Sequence, residues 1–100
     1  MSSDDSKKLF LTLVYPEGQA FEGEVHSVTL PTVEGQITVL PGHTSLLTTL
    51  VKGKGYYKWI DDEGKEMKDH YEMGDGFVEV SDNKVVVLAE FIAKSVLVRS

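Results

Sequence analysis

Seven turn signals divide this chain into runs too short for ordinary helices: Pro16-Glu17-Gly18, Glu34-Gly35, Pro41-Gly42, Gly53-Lys54-Gly55, Asp61-Asp62-Glu63-Gly64, Gly74-Asp75-Gly76 and Ser81-Asp82-Asn83. Glycine supplies positive φ, proline presets φ, and Asn and Asp bond their own backbone, so each cluster stops a regular element. The intervening runs are rich in Val, Leu, Ile, Phe, Tyr and Thr, whose branching and ring bulk suit a pleated backbone. Strands are therefore predicted over Leu9 to Val14, Phe21 to Leu30, Gln36 to Leu40, Leu46 to Val51, Tyr56 to Ile60, Glu66 to Met73, Phe77 to Val80 and Val85 to Ala89. A last edge strand is expected within Phe91 to Ser100. Ser45 to Lys52 is the only helix-length candidate, with Leu46, Leu47, Leu50 and Val51 on one face, but Thr48-Thr49 and nearby glycines favour a short strand.

About ten short strands in 100 residues predict an all-β fold, a flattened antiparallel sandwich or barrel of two sheets that bury each other's inner faces. That length suffices for one domain and not for two. The polar start, Met1 to Lys8, is expected to be a flexible lead-in to a single domain over residues 9–100.

The pattern within the runs places them in the layers. Phe21-Glu22-Gly23-Glu24-Val25 alternates, acids on one side and apolar residues on the other. The inward set then changes parity, from Phe21 and Val25 to Val28 and Leu30, so an irregularity such as a β-bulge is expected near His26-Ser27. Leu9 to Val14 and Val85 to Leu88 are almost wholly apolar, the mark of strands covered on both sides or closing a layer. They are the predicted centre of the core.

Charge and composition exclude several function classes. Sixteen acidic residues against ten basic ones give a net charge of -6, which repels a phosphate backbone, so no nucleic-acid partner is expected. Without cysteine the chain has neither a disulfide framework nor a thiolate metal site. No stretch approaches the roughly 18 apolar residues of a spanning helix, so direct membrane insertion is not expected.

Motifs of chemistry are weak. His26, His43 and His70 share no two- or four-residue spacing that would aim them at one metal ion. His43, Ser45 and Asp61, Asp62 or Asp69 contain the ingredients of a nucleophilic triad without the Gly-x-Ser-x-Gly elbow. Asp61 to Lys65 lacks the alternating oxygen ligands of a calcium loop. Gly53-x-Gly55 and Gly74-x-Gly76 lack a following helix to bind phosphate and read as turns. No catalytic residue, cofactor or metal is therefore expected. Tyr56, Tyr57 and Trp59 bring three of nine aromatic residues into four positions; they fit a buried core face, or, as the alternative function, a ligand- or carbohydrate-binding patch.

Two stretches then resemble a known family. Phe21-Glu22-Gly23-Glu24-Val25-His26-Ser27-Val28, followed by Pro31 to Thr48 with its Glu34-Gly35 turn, its Pro41-Gly42-His43 turn and its Leu46-Leu47 pair, is similar to the signature of the epsilon subunit of F-type ATP synthases. Gly76-Phe77-Val78-Glu79-Val80 and Val85 to Ala89 resemble two later strands of its amino-terminal sandwich domain. The resemblance covers about Leu9 to Phe91.

It implies a flattened sandwich that binds the gamma subunit and the membrane rotor ring, turning with both to couple proton or sodium flow to ATP synthesis in the catalytic head. The domain would be a non-catalytic part of the central stalk, peripheral on the cytoplasmic face of a bacterial energy-transducing membrane. By position, Glu34, Gly35 and Gln36 match the turn on the ring side; Tyr15, Pro41, Gly42, His43 and Thr48 match positions near gamma. Gln36 and His43 are the more informative, since their side chains can bond a partner without desolvating a full charge. Family members usually continue into a carboxy-terminal helical hairpin; this chain shows none, so neither hairpin-mediated inhibition nor ATP binding is expected of it.

Overall fold

Six of the seven turn signals separate strands, and the seventh explains itself by packing. The computed structural model describes residues 8–95. They form β1 (Leu9–Tyr15), β2 (Gly18–Val25), β3 (Ser27–Thr32), β4 (Gly35–Val39) and β5 (Leu46–Leu50). After these come β6 (Gly53–Ile60), β7 (Glu66–Met73), β8 (Gly76–Ser81), β9 (Lys84–Ala89) and β10 (Ile92–Lys94). There is no helix among the described residues. The expected lead-in, apart from Lys8, and residues 96–100 of the expected last strand lie outside them; the edge strand after Phe91 is the short β10, paired with β7.

Gly53 and Gly55, expected in a turn, lie inside β6. A Cβ on Gly55 would stand 2.7 Å from the Thr29 carbonyl oxygen. Glycine is needed there because β3 approaches closely, and not because the chain turns.

The run Phe21 to Leu30 is two strands. β2 pairs with β1, the chain bends at His26, and β3 pairs with β6 and β4. The His26 amide donates to the Lys58 carbonyl at 2.7 Å. The parity change is thus a corner between two parts of the sheet, while the register shift between β1 and β2 lies opposite Leu13 and Val14, where Ala20 of β2 is the extra residue.

The strands form one sheet in the order β10-β7-β6-β3-β5-β8-β9-β1-β2, with β4 also on β3. Its two halves meet where Thr32 pairs with Leu50, held by Val33 N–H to Thr49 O at 3.1 Å and Val51 N–H to Pro31 O at 3.0 Å. The sheet folds over at this joint, so that Phe21 of β2 stacks on Tyr57 of β6 at 4.4 Å across the interior. The shape is flattened, 39 × 38 × 25 Å. Pairing is antiparallel except between β1 and β9, which run parallel. These two strands are far apart in the chain, so no hairpin constrains their direction.

Leu9, Leu11 and Leu13 of β1, Val85, Val87 and Ala89 of β9, and Val78 and Val80 of β8 line one side of the interior. Val28, Leu30, Val39, Tyr57, Tyr71 and Met73 line the other. Each fully buried aliphatic side chain stabilises the fold by about 1.5–3 kcal/mol through burial. The buried threonine hydroxyls are satisfied: Thr29 and Thr38 share a hydrogen bond of 2.8 Å, and Thr32 donates to Gly35 O and accepts from Glu34 N–H.

Candidate docking surface

The apolar runs of β1 and β9 were expected to be covered on both sides or to close a layer, and within the described residues they are covered on one face. Along β9, Val85, Val87 and Ala89 are buried while Val86 and Leu88 are 40% and 49% exposed. Along β1 the buried Leu9, Leu11 and Leu13 alternate with Phe10, which is 40% exposed. The neighbouring strands continue the pattern, with Phe77 on β8 at 57% and Leu47 on β5 at 73%.

Register turns these residues into one surface. Leu47 pairs with Glu79 and Glu79 with Val86, while Thr49 pairs with Phe77, Phe77 with Leu88 and Leu88 with Val14. Side chains paired across strands share a face. The outer face of β5-β8-β9-β1 thus carries Leu47, Phe77, Val86 and Leu88 in adjacent rows, with Phe10 beside Lys84 at one end. Thr49, Glu79 and Thr12, which pairs with Val86, are its polar interruptions, and Ser81 and Lys84 share the row of Phe10. Large contiguous apolar patches on protein surfaces are characteristic of interaction sites.

The turn Leu40-Pro41-Gly42-His43 borders this face. His43 N–H donates to Leu40 O at 3.0 Å, and Gly42 has φ of 88°. Proline followed by a residue of positive φ makes this a type II turn. His43 Nδ1 lies 2.9 Å from the Thr44 carbonyl oxygen. That nitrogen therefore carries the donated hydrogen, and Nε2 is left to the exterior.

Of the positions matched to gamma contacts, the structure groups Pro41, Gly42 and His43 and separates the others. Tyr15 ends β1, paired with Gly18 and packed partly against the core. Phe10, near the other end of β1, is the residue bonded to Asn83 beside Gly42. Tyr15 thus lies about 15–20 Å from that end, given roughly 3.3 Å per strand residue. Thr48 pairs with buried Val78 and points toward the interior; its neighbours Leu47 and Thr49 face out. Glu34, Gly35 and Gln36 are exposed at the β3-β4 hairpin, at the opposite end of β4 from Pro41. Val33, 60% exposed at the same hairpin tip, joins them.

The remaining candidates do not converge. Tyr57 is buried between Phe21 and Tyr71, its hydroxyl 3.4 Å from that of Tyr71. Trp59 donates to Asp69 from the same side, and Tyr56 stands on the opposite face against His70. The aromatic cluster is thereby split between core and surface. Burial, then the hydroxyl of Tyr71 and the carboxylate of Asp69, push the Tyr57 hydroxyl well above the usual phenol range. Asp61 accepts the amides of Glu63 and Lys65 to close its own hairpin. His26 at the β2-β3 corner, His43 in its loop and His70 on β7 occupy three separate places, and no group of three metal-ligating side chains occurs among the described residues.

Leu47, Phe77, Val86, Leu88 and Phe10 are the functional candidates that residue-type reasoning passed over. Their signal was present, because a run apolar at odd and even positions alike needs cover on both faces. The cover on the second face does not come from the described residues of this chain.

Comparison with known proteins gives this geometry a setting. A family profile described as ATP synthase, Delta/Epsilon chain, beta-sandwich domain matches residues 8–95. The chain is similar to the ATP synthase epsilon chain of Helicobacter pylori, 39% identical over 82 residues that make up 82% of this chain and 63% of the relative. It is similar to that of Campylobacter concisus, 42% identical over 84 residues, 83% of this chain and 61% of the relative. The chain thus spans less than two thirds of the relatives it matches. Among solved structures it superposes on a chain of Euglena gracilis mitochondrial ATP synthase, OSCP/F1/c-ring, with a TM-score of 0.77, 27% identity, 88% of this chain and 54% of that one. A chain of the Tetrahymena thermophila central stalk/c-ring shares the fold, with a TM-score of 0.67, 16% identity, and coverage of 87% and 66%.

Proposed function

The chain belongs to the delta/epsilon chain β-sandwich family of ATP synthase, and from that premise we propose that it is a non-catalytic central-stalk subunit that binds the gamma subunit and the rotor ring. The observation that carries the reading is the bare outer face of β5-β8-β9-β1, with Leu47 and Phe77 the most exposed of its apolar residues. A rotating shaft subunit must hold its neighbour through many cycles, and an apolar sheet face provides non-directional adhesion in proportion to the area it removes from water. Gamma is the proposed occupant of that face. The Pro41-Gly42-His43 turn at its margin supplies the polar contacts that fix register, as rim groups do at interfaces.

The exposed hairpin tip of Glu34, Gly35 and Gln36 is the proposed contact with the ring. It stands at the other end of β4 from the gamma-side turn, so one rigid strand spans two attachment points. Torque passes through a sheet with little local give because its interior is close-packed. In this reading the subunit lies at the cytoplasmic face of a bacterial membrane and couples proton or sodium flow to synthesis in the catalytic head without chemistry of its own.

The test is association with the cognate gamma subunit, by size-exclusion chromatography and calorimetry. A stoichiometric complex at micromolar concentration or below is expected. Absence of a complex between two folded partners would reject the assignment of gamma to this surface.

A further inference from the structure

We propose that Asn83 is a positioning residue for partner docking: its side chain holds the Pro41-Gly42 peptide in the single orientation in which the turn presents His43 beside the apolar face. Asn83 belongs to the β8-β9 hairpin, where Ser81 pairs with Lys84 across two residues. Asp82 and Asn83 have φ of 53° and 61°, which makes this the type I′ turn that matches the twist of a tight hairpin. Asn is among the few residues that adopt positive φ readily, and it brings an amide side chain.

Both ends of that residue are used. Its backbone carbonyl accepts Phe10 N–H at 2.8 Å, anchoring the start of β1. Its Oδ1 accepts Gly42 N–H at 2.8 Å from a loop 41 residues away in the chain. The second contact bears on conformation. Types I and II of a four-residue turn differ by a flip of the central peptide, here the bond between Pro41 and Gly42, and both keep the closing bond from residue four to residue one. The closing bond from His43 to Leu40 is therefore indifferent to the flip. Asn83 is not, since flipping would aim the Gly42 N–H away and the Pro41 carbonyl toward its Oδ1. Proline at 41 and glycine at 42 already suit the type II form, though glycine tolerates either, and the clasp from Asn83 adds the bond that distinguishes the two.

This inference rests on the docking reading above for its functional half, and on geometry alone for the clasp. Two variants of the full chain separate them. Asn83→Gly keeps a residue at ease with positive φ and removes the acceptor; Asn83→Asp keeps the positive φ and an acceptor oxygen. Each is measured for Gly42 amide hydrogen exchange by NMR in the free chain and for affinity toward the cognate gamma subunit by calorimetry. With one net hydrogen bond lost, Asn83→Gly is expected to speed Gly42 exchange about fivefold to tenfold and to weaken gamma binding by a similar factor, with thermal unfolding still cooperative. Asn83→Asp is expected to stay within about twofold of the parent in both.

Unchanged Gly42 exchange in Asn83→Gly overturns the clasp. Faster exchange with unchanged affinity overturns the positioning role while leaving the clasp. Equal loss of affinity in Asn83→Gly and Asn83→Asp also overturns it, since the acceptor would then be irrelevant. If the parent chain itself binds no gamma, the docking reading fails and takes the positioning role with it, and the exchange rates still decide the clasp.

Discussion

The two outer faces of this molecule obey the same alternation and end in opposite states. On β6 and β7, Tyr56 sits across from His70, with the Lys68 ammonium 4.6 Å from the centre of the Tyr56 ring. Lys58 faces Lys68, and Lys54 faces Glu72. That face meets water mainly through charged groups, with Ile60 40% exposed at the end of β6, and covers its large ring with its own lysine. On β5, β8, β9 and β1 the equivalent positions are Leu47, Phe77, Val86, Leu88 and Phe10, and nothing described in the chain covers them. The comparison separates a face finished by folding from one that, in the proposed reading, is finished by assembly. Interior packing does not tell them apart, because both halves of the sheet turn an apolar inner row toward the core.

The largest expected effect breaks the fold that both faces share. Leu11 is fully buried in β1, whereas Leu88, on the neighbouring β9, points out. Leu11→Ala is expected to cost about 2–5 kcal/mol in urea unfolding, as cavity-forming substitutions do, and Leu88→Ala to stay within about 0.5 kcal/mol. A comparable cost for Leu88→Ala would mean that its face is packed within the chain after all.

A smaller effect is read by pH. The folded state keeps Tyr57 protonated far above the pH at which the unfolded chain releases that proton, near pH 10. Stability from this group is full below about pH 10 and is lost as pH rises, by roughly 1.4 kcal/mol per pH unit at most. Between pH 10 and 11 the parent should lose stability faster than Tyr57→Phe in paired urea titrations; parallel slopes would show that Tyr57 ionises freely in the folded protein.

The smallest effect sharpens the contrast from the charged side. Lys58 and Lys68 are directly opposed like charges, an arrangement that costs a sheet a few tenths of a kcal/mol. Lys58→Glu is expected to raise stability by about 0.2–1 kcal/mol, a gain that should shrink in high salt. No gain in low salt would show that the two ammonium groups avoid each other in solution.

Much of this was readable in the residues. Turn chemistry located most strand ends, because Pro16, Gly42, Gly64 and Asn83 act through local backbone preference alone. The Leu46 to Leu50 strand was separable from a helix by Thr48 and Thr49. The parity change after Val25 announced the corner at His26 without revealing that it divides one run into two strands, since that depends on which neighbours β3 finds. Glycines 53 and 55 misled for the same reason: a glycine required by a neighbouring strand looks like a glycine required by a turn.

The site was legible in part. Of the positions proposed for gamma, Pro41, Gly42 and His43 form one exposed turn, while Thr48 turns inward and Tyr15 lies toward the other end of β1. The apolar face itself was visible as uninterrupted hydrophobic runs, and residue types alone do not say whether the second cover belongs to the same chain. Asn83 was marked as a turn residue, and its reach to Gly42 depends on a contact between segments 41 residues apart.

The central claim, that one outer face is completed by gamma and the other is already complete, is tested most directly by titrating two single variants against the cognate gamma subunit. Phe77→Asp places a charge in the apolar face; Lys58→Glu reverses one on the charged face. Phe77→Asp is expected to weaken binding by about 30-fold or more, the loss typical of a central interface residue, while Lys58→Glu stays within about twofold. Equal effects, or a loss confined to Lys58→Glu, would contradict the account.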